Sequence, residues 1–459
     1  MTVEVDDNGG LVMASSQQEL VFIGAILSIA LGFFALRLIR KNKKLSWNES
    51  IAGHLIALMF ICKGIQNAAT GYFAQSFERF ATEGDLSWQF WGQLTGMMDY
   101  AFGSSIIMIS LLYPVPLLRN EKQLKIGATI IISLFVVLRT LLDLTGNGWT
   151  GLHLFGALYI FAGVFWGSVY IKFRLIEKAE RNKSTMNIAI VCGLLLTLQM
   201  GHIWMLWPGL FLQSDYFYFV DLGGGPVTSL LFDYIWLAGY TFCIAVGLSM
   251  LAIEVYQAIN GNSSILLYII LPYFVLGTIG HAVLSSSDLA AFGFLDQDTE
   301  IKELWKTFTT QMHFTILRSL IAMYILLKYG FFDVNEETRP TAKLMTIILI
   351  VVATSAVLEL VQSIIPINQM LTAALLGIII AFGIGWEERS FDGLVANPAN
   401  IRDYIDKKWF PTVALPDGFL KKLDYSFLIF IMICFLVSFI VWQTDGLYEL
   451  MLKRGGGSV

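Results

Sequence analysis

Apolar runs of about twenty residues recur from one end of this chain to the other, and that recurrence constrains the fold more than any motif. Such a run is the length of one helical crossing of a bilayer, and only a helix or a closed barrel satisfies its own backbone polar groups in hydrocarbon. One crossing per run places spans near 18–39, 50–75, 94–118, 124–145, 150–173, 186–212, 226–257, 264–290, 308–329, 342–364, 367–386 and 424–443. With 56% of the residues hydrophobic and only 14% charged, an ordinary soluble domain is excluded. The expected fold is all-α: a polytopic integral membrane protein of about 12 transmembrane helices.

The basic residues orient it. Loops after the first, third, fifth, ninth and eleventh spans carry almost all the Lys and Arg outside the spans, and the alternate loops carry Asp and Glu, which puts the amino terminus outside. The expected organisation is an extracytoplasmic tail over 1–17 and a membrane domain of about eleven helices over 18–386. A cytoplasmic basic, amphipathic segment at 387–423, a final span at 424–443 and a tail at 444–459 ending in a linker-like Gly455-Gly456-Gly457-Ser458-Val459 complete it. The acidic start lacks the basic region of a cleaved signal peptide, so the first run is expected to stay as a span. The lipid bilayer is then the first partner. Nucleic acid is not expected, because no basic face gathers the few cations. Cys62, Cys192, Cys243 and Cys434 all fall in apolar runs without CxxC spacing, so neither a disulfide framework nor a zinc cluster is indicated.

Ionisable groups inside such runs are costly and mark sites by default. All five histidines, His54, His153, His202, His281 and His313, lie in or at the edge of a span. On the orientation above, His153, His202, His281, His313, Asp99, Arg139, Asp143, Asp233, Arg318 and Glu359 share the outer half of the membrane, which points to an outward-facing polar cavity. Lys63, near the middle of the second span, needs a carboxylate from another helix, with Asp99 and Asp233 as candidates. The ligand-binding or coupling set is therefore Lys63, Asp99, Arg139, His202, Asp233, His281, His313 and Arg318. A plainer reading stands beside it, since a membrane histidine commonly bonds only a neighbouring carbonyl. That reading suits His54 and His153 at span ends, and solvation suits Asp143, Asp288, Glu254 and Glu359 near an interface. At about 100° per residue His313 points about 140° away from Arg318, which leaves each free to serve a different neighbour, yet His202, His281, His313 and Arg318 at similar depth are expected to line one cavity.

No Walker loop, GxSxG elbow, HExxH pair or His-rich di-iron box occurs, and catalysis is not expected. No cofactor is required by the sequence. A haem b held between two helices would need facing histidines at one depth, which His202 with His281 or His313 would supply.

From Lys328 the chain reads KYGFFDVNEETRPTAKLMTIILIVVATSAVLELVQSII, then a further apolar run and WEERSFDG. This stretch resembles the membrane sensing regions of multi-span bacterial and archaeal sensor proteins, histidine-kinase receptors among them. There a helix exits as RY-x-LFD-[IV], and two more spans lead to a charged segment containing ER. Lys328, Tyr329, Phe332, Asp333 and Val334 match the exit, Glu388-Arg389 the later pair, and SLLYPVPLL the YP-x-P span ends of such proteins. A span at 424–443 stands where a kinase, cyclase or DNA-binding output domain would follow. The resemblance implies a sensing module that works with a separate membrane or cytoplasmic protein.

Two other functions fit the same residues. A secondary transporter would use Lys63, Asp99, Asp233 and Arg318 as an intramembrane coupling site. A haem- or quinone-binding redox subunit would use the histidines.

Overall fold

The computed structural model describes residues 3–5, 11–13, 15–138, 141, 154–176, 183–208, 230–285, 313, 317–347, 401, 405 and 418–444. Apart from one small hairpin, β1 (Val3–Val5) antiparallel to β2 (Leu11–Met13) with Val3 opposite Met13, the described elements are helical. They are α1 (Ser15–Lys41), α2 (Trp47–Glu83), α3 (Trp88–Leu112), α4 (Glu121–Ile132), α5 (Leu154–Ile171), α6 (Lys183–Trp204), α7 (Leu230–Ile259), α8 (Ile265–Ser285), α9 (Arg318–Lys328) and α10 (Phe419–Gln443). Five-residue π-helical segments extend α4 over Ser133–Val137 and α5 over Lys172–Ile176.

The helix ends follow from local chemistry. Glu49 reaches back to the Ser46 amide at 2.9 Å to start α2. Gly84, at φ 73°, ends it with its N–H on the Phe80 carbonyl. Asn120 caps α4 by accepting from the Gln123 amide. α2 runs 37 residues, more than a bilayer needs, so the segment 75–83, read above as an outer loop, is the helix's own extension.

Among the described residues, six helices are long and apolar enough to cross a membrane: Trp47–Phe73, Trp88–Leu112, Ala157–Ile176, Ser184–Trp204, Ala238–Ile259 and Phe419–Gln443. The expected spans at 342–364 and 367–386 lie wholly or mostly outside the described residues. α6 is the hub, with 83% of its crossing stretch buried; it packs against α5, α7, α8 and α9. α1, α2 and α3 form a second layer, joined through α3 to α5 and through α2 to α9. α10 lies on α3 with only 17% of its stretch buried, its Tyr425, Met432 and Leu436 facing outward.

Close helix contact depends on glycine. A Cβ on Gly32 would lie 2.8 Å from the Ala57 carbonyl oxygen, one on Gly64 2.7 Å from that of Ala25, and one on Gly277 2.3 Å from that of Met205. Small residues let these backbones touch, as in membrane helix pairs.

Alternate connections gather at one end of the bundle. The Asn42 side chain donates to the Gly330 and Phe331 carbonyls at 3.0 and 3.1 Å, Lys44 pairs with Asp333, Lys41 with Glu337, and Arg40 with Asp424. Asn48 donates to the Leu112 carbonyl, Trp166 donates to that of Tyr113, and the Tyr113 ring meets Phe331 edge-on. The KYGFFD exit is therefore a packed corner: Gly330, at φ 72°, turns the chain so that the buried Tyr329, Phe331 and Phe332 face the bundle.

Candidate functional site

Five of the eight site candidates meet around the hub helix. α6 brings His202, exposed by only 2%; π-helical winding at His313 and Leu317 leads into α9, which brings Arg318. The His202 and His313 rings lie against each other in a tilted arrangement, centroids 5.3 Å apart and planes 33° apart. The Tyr159 hydroxyl of α5 stands 3.5 Å from His202 Nε2, and the Tyr273 hydroxyl of α8 stands 3.0 Å from His313 Nδ1. His313 Nε2 and Arg318 Nε both donate to the Leu198 carbonyl, at 3.3 and 2.9 Å. The Arg318 guanidinium also sits 4.5 Å above the Phe102 ring of α3, a cation–π contact.

His313 and Arg318 thus meet on one neighbour, the Leu198 carbonyl, which their separation on an α-helical wheel would not bring about. Their 140° separation holds for α-helical winding. In π winding the backbone bond reaches five residues along instead of four, so residues five apart fall on one face. The fit is tight: a Cβ on Gly201 would come 2.8 Å from the His313 ring and 2.9 Å from that of Tyr273.

Lys63 of α2 and Asp99 of α3 complete the group. The Lys63 ammonium donates to Gln66 Oε1 at 2.6 Å. Asp99 lies within electrostatic reach of both Lys63 and Arg318, and those two cations act in turn on both histidines. Asp99 is one of the two carboxylates expected to balance Lys63. Arg139 lies outside the described residues. Asp233 and His281 fall on α7 and α8, and their side chains lie outside the described set.

The site is a packed cluster of side chains more than an open outward cavity: His202, His313 and Arg318 are at most 6% exposed, while Lys63 and Asp99 are half-buried. The same packing speaks against haem between His202 and His313. Rings 5.3 Å apart leave no room for a macrocycle, and both His313 nitrogens are already engaged. A pair of His202 with His281 lies outside the described side chains. Among the described residues no group of three or more His, Cys, Asp or Glu is arranged to hold a metal.

A second polar cluster was misread from the sequence. Glu254 and Arg174, taken as an interfacial carboxylate and a basic loop residue, are buried to 0% and 4% exposure. Arg174 Nε and Nη2 clasp both Glu254 oxygens at 2.8 and 2.7 Å, while Tyr170 and Ser264 each donate a hydroxyl to Glu254 at 2.7 Å. Arg174 Nη2 also donates to the Asn262 carbonyl, and Gln257 donates to the Arg174 carbonyl. The π segment Lys172–Ile176 turns Arg174 inward. Two signals were present, a carboxylate followed three residues later by Gln257 in an apolar helix, and an arginine in the apolar KFRLI. Their pairing across 80 residues was not among them. Tyr159 and Tyr273 were also missed, although a hydroxyl deep in an apolar run needs a partner.

These features define the class: an all-helical protein with several helices able to cross a membrane and two buried ionisable clusters packed around one hub. Comparison with protein-family models, with curated proteins and with solved structures found no match to this chain.

Proposed function

We propose that this is a multi-pass protein of the cell membrane, with about twelve spans and its amino terminus outside, and that the His202–His313–Arg318 cluster, with Lys63 and Asp99, is its ligand site. The carrying observation is the convergence of two imidazoles and an arginine beside α6, with a lysine and, among the described side chains, one carboxylate within electrostatic reach. Placing that many ionisable groups within apolar helices is expensive unless they serve a function. With two cations beside one carboxylate among the described side chains, the favoured ligand carries an anionic or hydrogen-bond-accepting group. Gln199 Oε1 on α6 and Thr95 Oγ1 on α3, buried atoms with no hydrogen-bond partner among the described residues, supply further polar contacts for a ligand or a water.

The protein acts as a receptor or sensor on this reading, and its basic end, where Lys41, Lys44 and Arg40 are already woven into the KYGFFD corner, is the face offered to a partner. The likeness of that corner to sensor proteins supports this role. A transporter is the second reading, supported by departures from regular α-helix beside the site: Pro272 removes a backbone hydrogen bond inside α8 next to Tyr273, and His313 and Leu317 have π-helical winding. Helices weakened or broken beside binding groups are a transporter device.

The test is a thermal-melt screen of the purified protein against small carboxylates, phosphate and sulfate, repeated on His202→Gln. A ligand at 100 times its Kd should stabilise by about 2.7 kcal/mol, and the variant should lose the response. Uptake of the stabilising compound into proteoliposomes then separates transporter from receptor. A ligand that stabilises His202→Gln as well as the parent would remove the site.

A further inference from the structure

α5 and α7 run in the same direction side by side, with Gly163 opposite Phe242 at one end and Tyr170 opposite Glu254 at the other. Between these points they do not close on each other. A cleft of about 300 Å³ opens along them, with apolar walls, and on α5 its outer edge is formed by Val164 and Ile171, 46% and 40% exposed. Gly167 forms part of its floor, and a Cβ there would meet nothing within 4 Å. The cleft is roughly 12 Å long at 1.5 Å per residue from 163 to 171. It ends at the rigid Tyr170–Glu254–Arg174 cluster, at the level where Lys172 follows Ile171 in the chain. Lys172, which directly follows the lining residue Ile171, carries its ammonium 5.5 Å from the centroid of the neighbouring Phe173 ring at this end.

An apolar slot that opens sideways and ends at a cation matches one kind of occupant. We propose that the cleft between α5 and α7 is a specific site for an anionic phospholipid, one acyl chain lying over Gly167 and the headgroup phosphate held at Lys172. The inference rests on the membrane reading above, because only in a bilayer is such a slot filled from the side. The acyl chain supplies apolar contact along the walls. The lysine supplies the preference for negative charge, worth about 1 kcal/mol near a membrane surface, or about fivefold in affinity. The ion-paired cluster beneath holds the two helix ends at a fixed spacing, so the slot has a defined width.

The experiment uses the full-length protein, delipidated in detergent and titrated with phosphatidylglycerol or phosphatidylcholine of identical chains, with bound lipid read by native mass spectrometry. The parent should bind one phosphatidylglycerol about fivefold more tightly than phosphatidylcholine. Lys172→Gln should make the two equal. Gly167→Leu and, from the facing wall, Ser249→Leu fill the slot and should abolish retention of both lipids while the circular dichroism and elution volume stay as in the parent. Parent-like retention in either folded filled variant overturns the proposal, as does a filled variant that changes oligomeric state and leaves lipid binding intact, since the slot would then seat another helix. Failure of the membrane reading is separately visible, as recovery of the protein in the soluble fraction without detergent.

Discussion

Glu254 and Arg174 illustrate how much depends on single side chains when they are buried. Each has lost its water, and each is satisfied by the other together with Tyr170, Ser264 and the Asn262 carbonyl. Removing one partner of such a pair strands the other charge, at a cost of about 3–5 kcal/mol. Arg174→Met should therefore lower the melting temperature steeply, and adding Glu254→Leu should recover part of the loss; an unchanged melt for the single variant would contradict the buried pair. Lys63 and Asp99 should couple in the same manner, with a double-mutant interaction energy of roughly 0.5–3 kcal/mol in thermal or denaturant unfolding. Outside the bundle, Asp85 shows a milder effect. The backbone N–H and hydroxyl of Ser87 hold its carboxyl below the ordinary aspartate value. A depressed folded value means the contribution is full above the unfolded pKa of about 3.9 and fades as pH falls below it through the folded value. The Asp85 carbonyl-carbon shift followed by NMR should titrate lower than in a Ser87→Ala variant.

At the scale of elements, the decisive feature is how closely helices approach. Gly277 sets the α6–α8 contact, because its missing Cβ would sit 2.3 Å from a backbone oxygen that has no freedom to rotate away. Gly277→Ala should push α8 outward and cost at least about 1–3 kcal/mol, and it should weaken ligand binding as well, since α8 carries Tyr273. Gly167→Ala, with open space at its Cβ, should leave the melt close to that of the parent; the pair of melts compares two glycines in apolar helices that differ only in neighbours. The KYGFFD corner is a second such element. Asn42→Ala removes both bonds to the Gly330 and Phe331 carbonyls and leaves buried acceptors unsatisfied, at about 1–3 kcal/mol. Hydrogen exchange at Tyr329–Phe332 should speed up in that variant.

For the molecule as a whole, the described connections 42–46, 113–120, 260–264 and 329–338 and the start of α10 lie toward one basic end, and the helical order requires it, since helices adjacent in the chain run in opposite directions. On the proposed orientation this end is cytoplasmic. Single cysteines placed at Lys43 and Lys422 should react with a membrane-impermeant reagent only after the cytoplasmic face is opened, and one placed at Glu83 should react in intact cells. Labelling of Lys43 and Lys422 positions from opposite faces would break the fold, and labelling of both from outside would invert the orientation.

Much of this was readable in the chain. Apolar length alone determines that Trp47–Phe73 or Ser184–Trp204 is a helix, because an isolated apolar segment has no other way to satisfy its backbone. An ionisable residue in such a stretch is visible without coordinates, so Lys63, Asp99, His202, His313 and Arg318 were identifiable one by one. Which of them meet was decided by tertiary structure. His313 and Arg318 share the Leu198 carbonyl, with π-helical winding at His313 and Leu317 that no α-helical wheel contains. Arg174 finds Glu254 through a second π segment that turns a loop-like cation inward. Hydropathy reports the cost of burying each group alone, whereas the partner that offsets that cost stands on another helix.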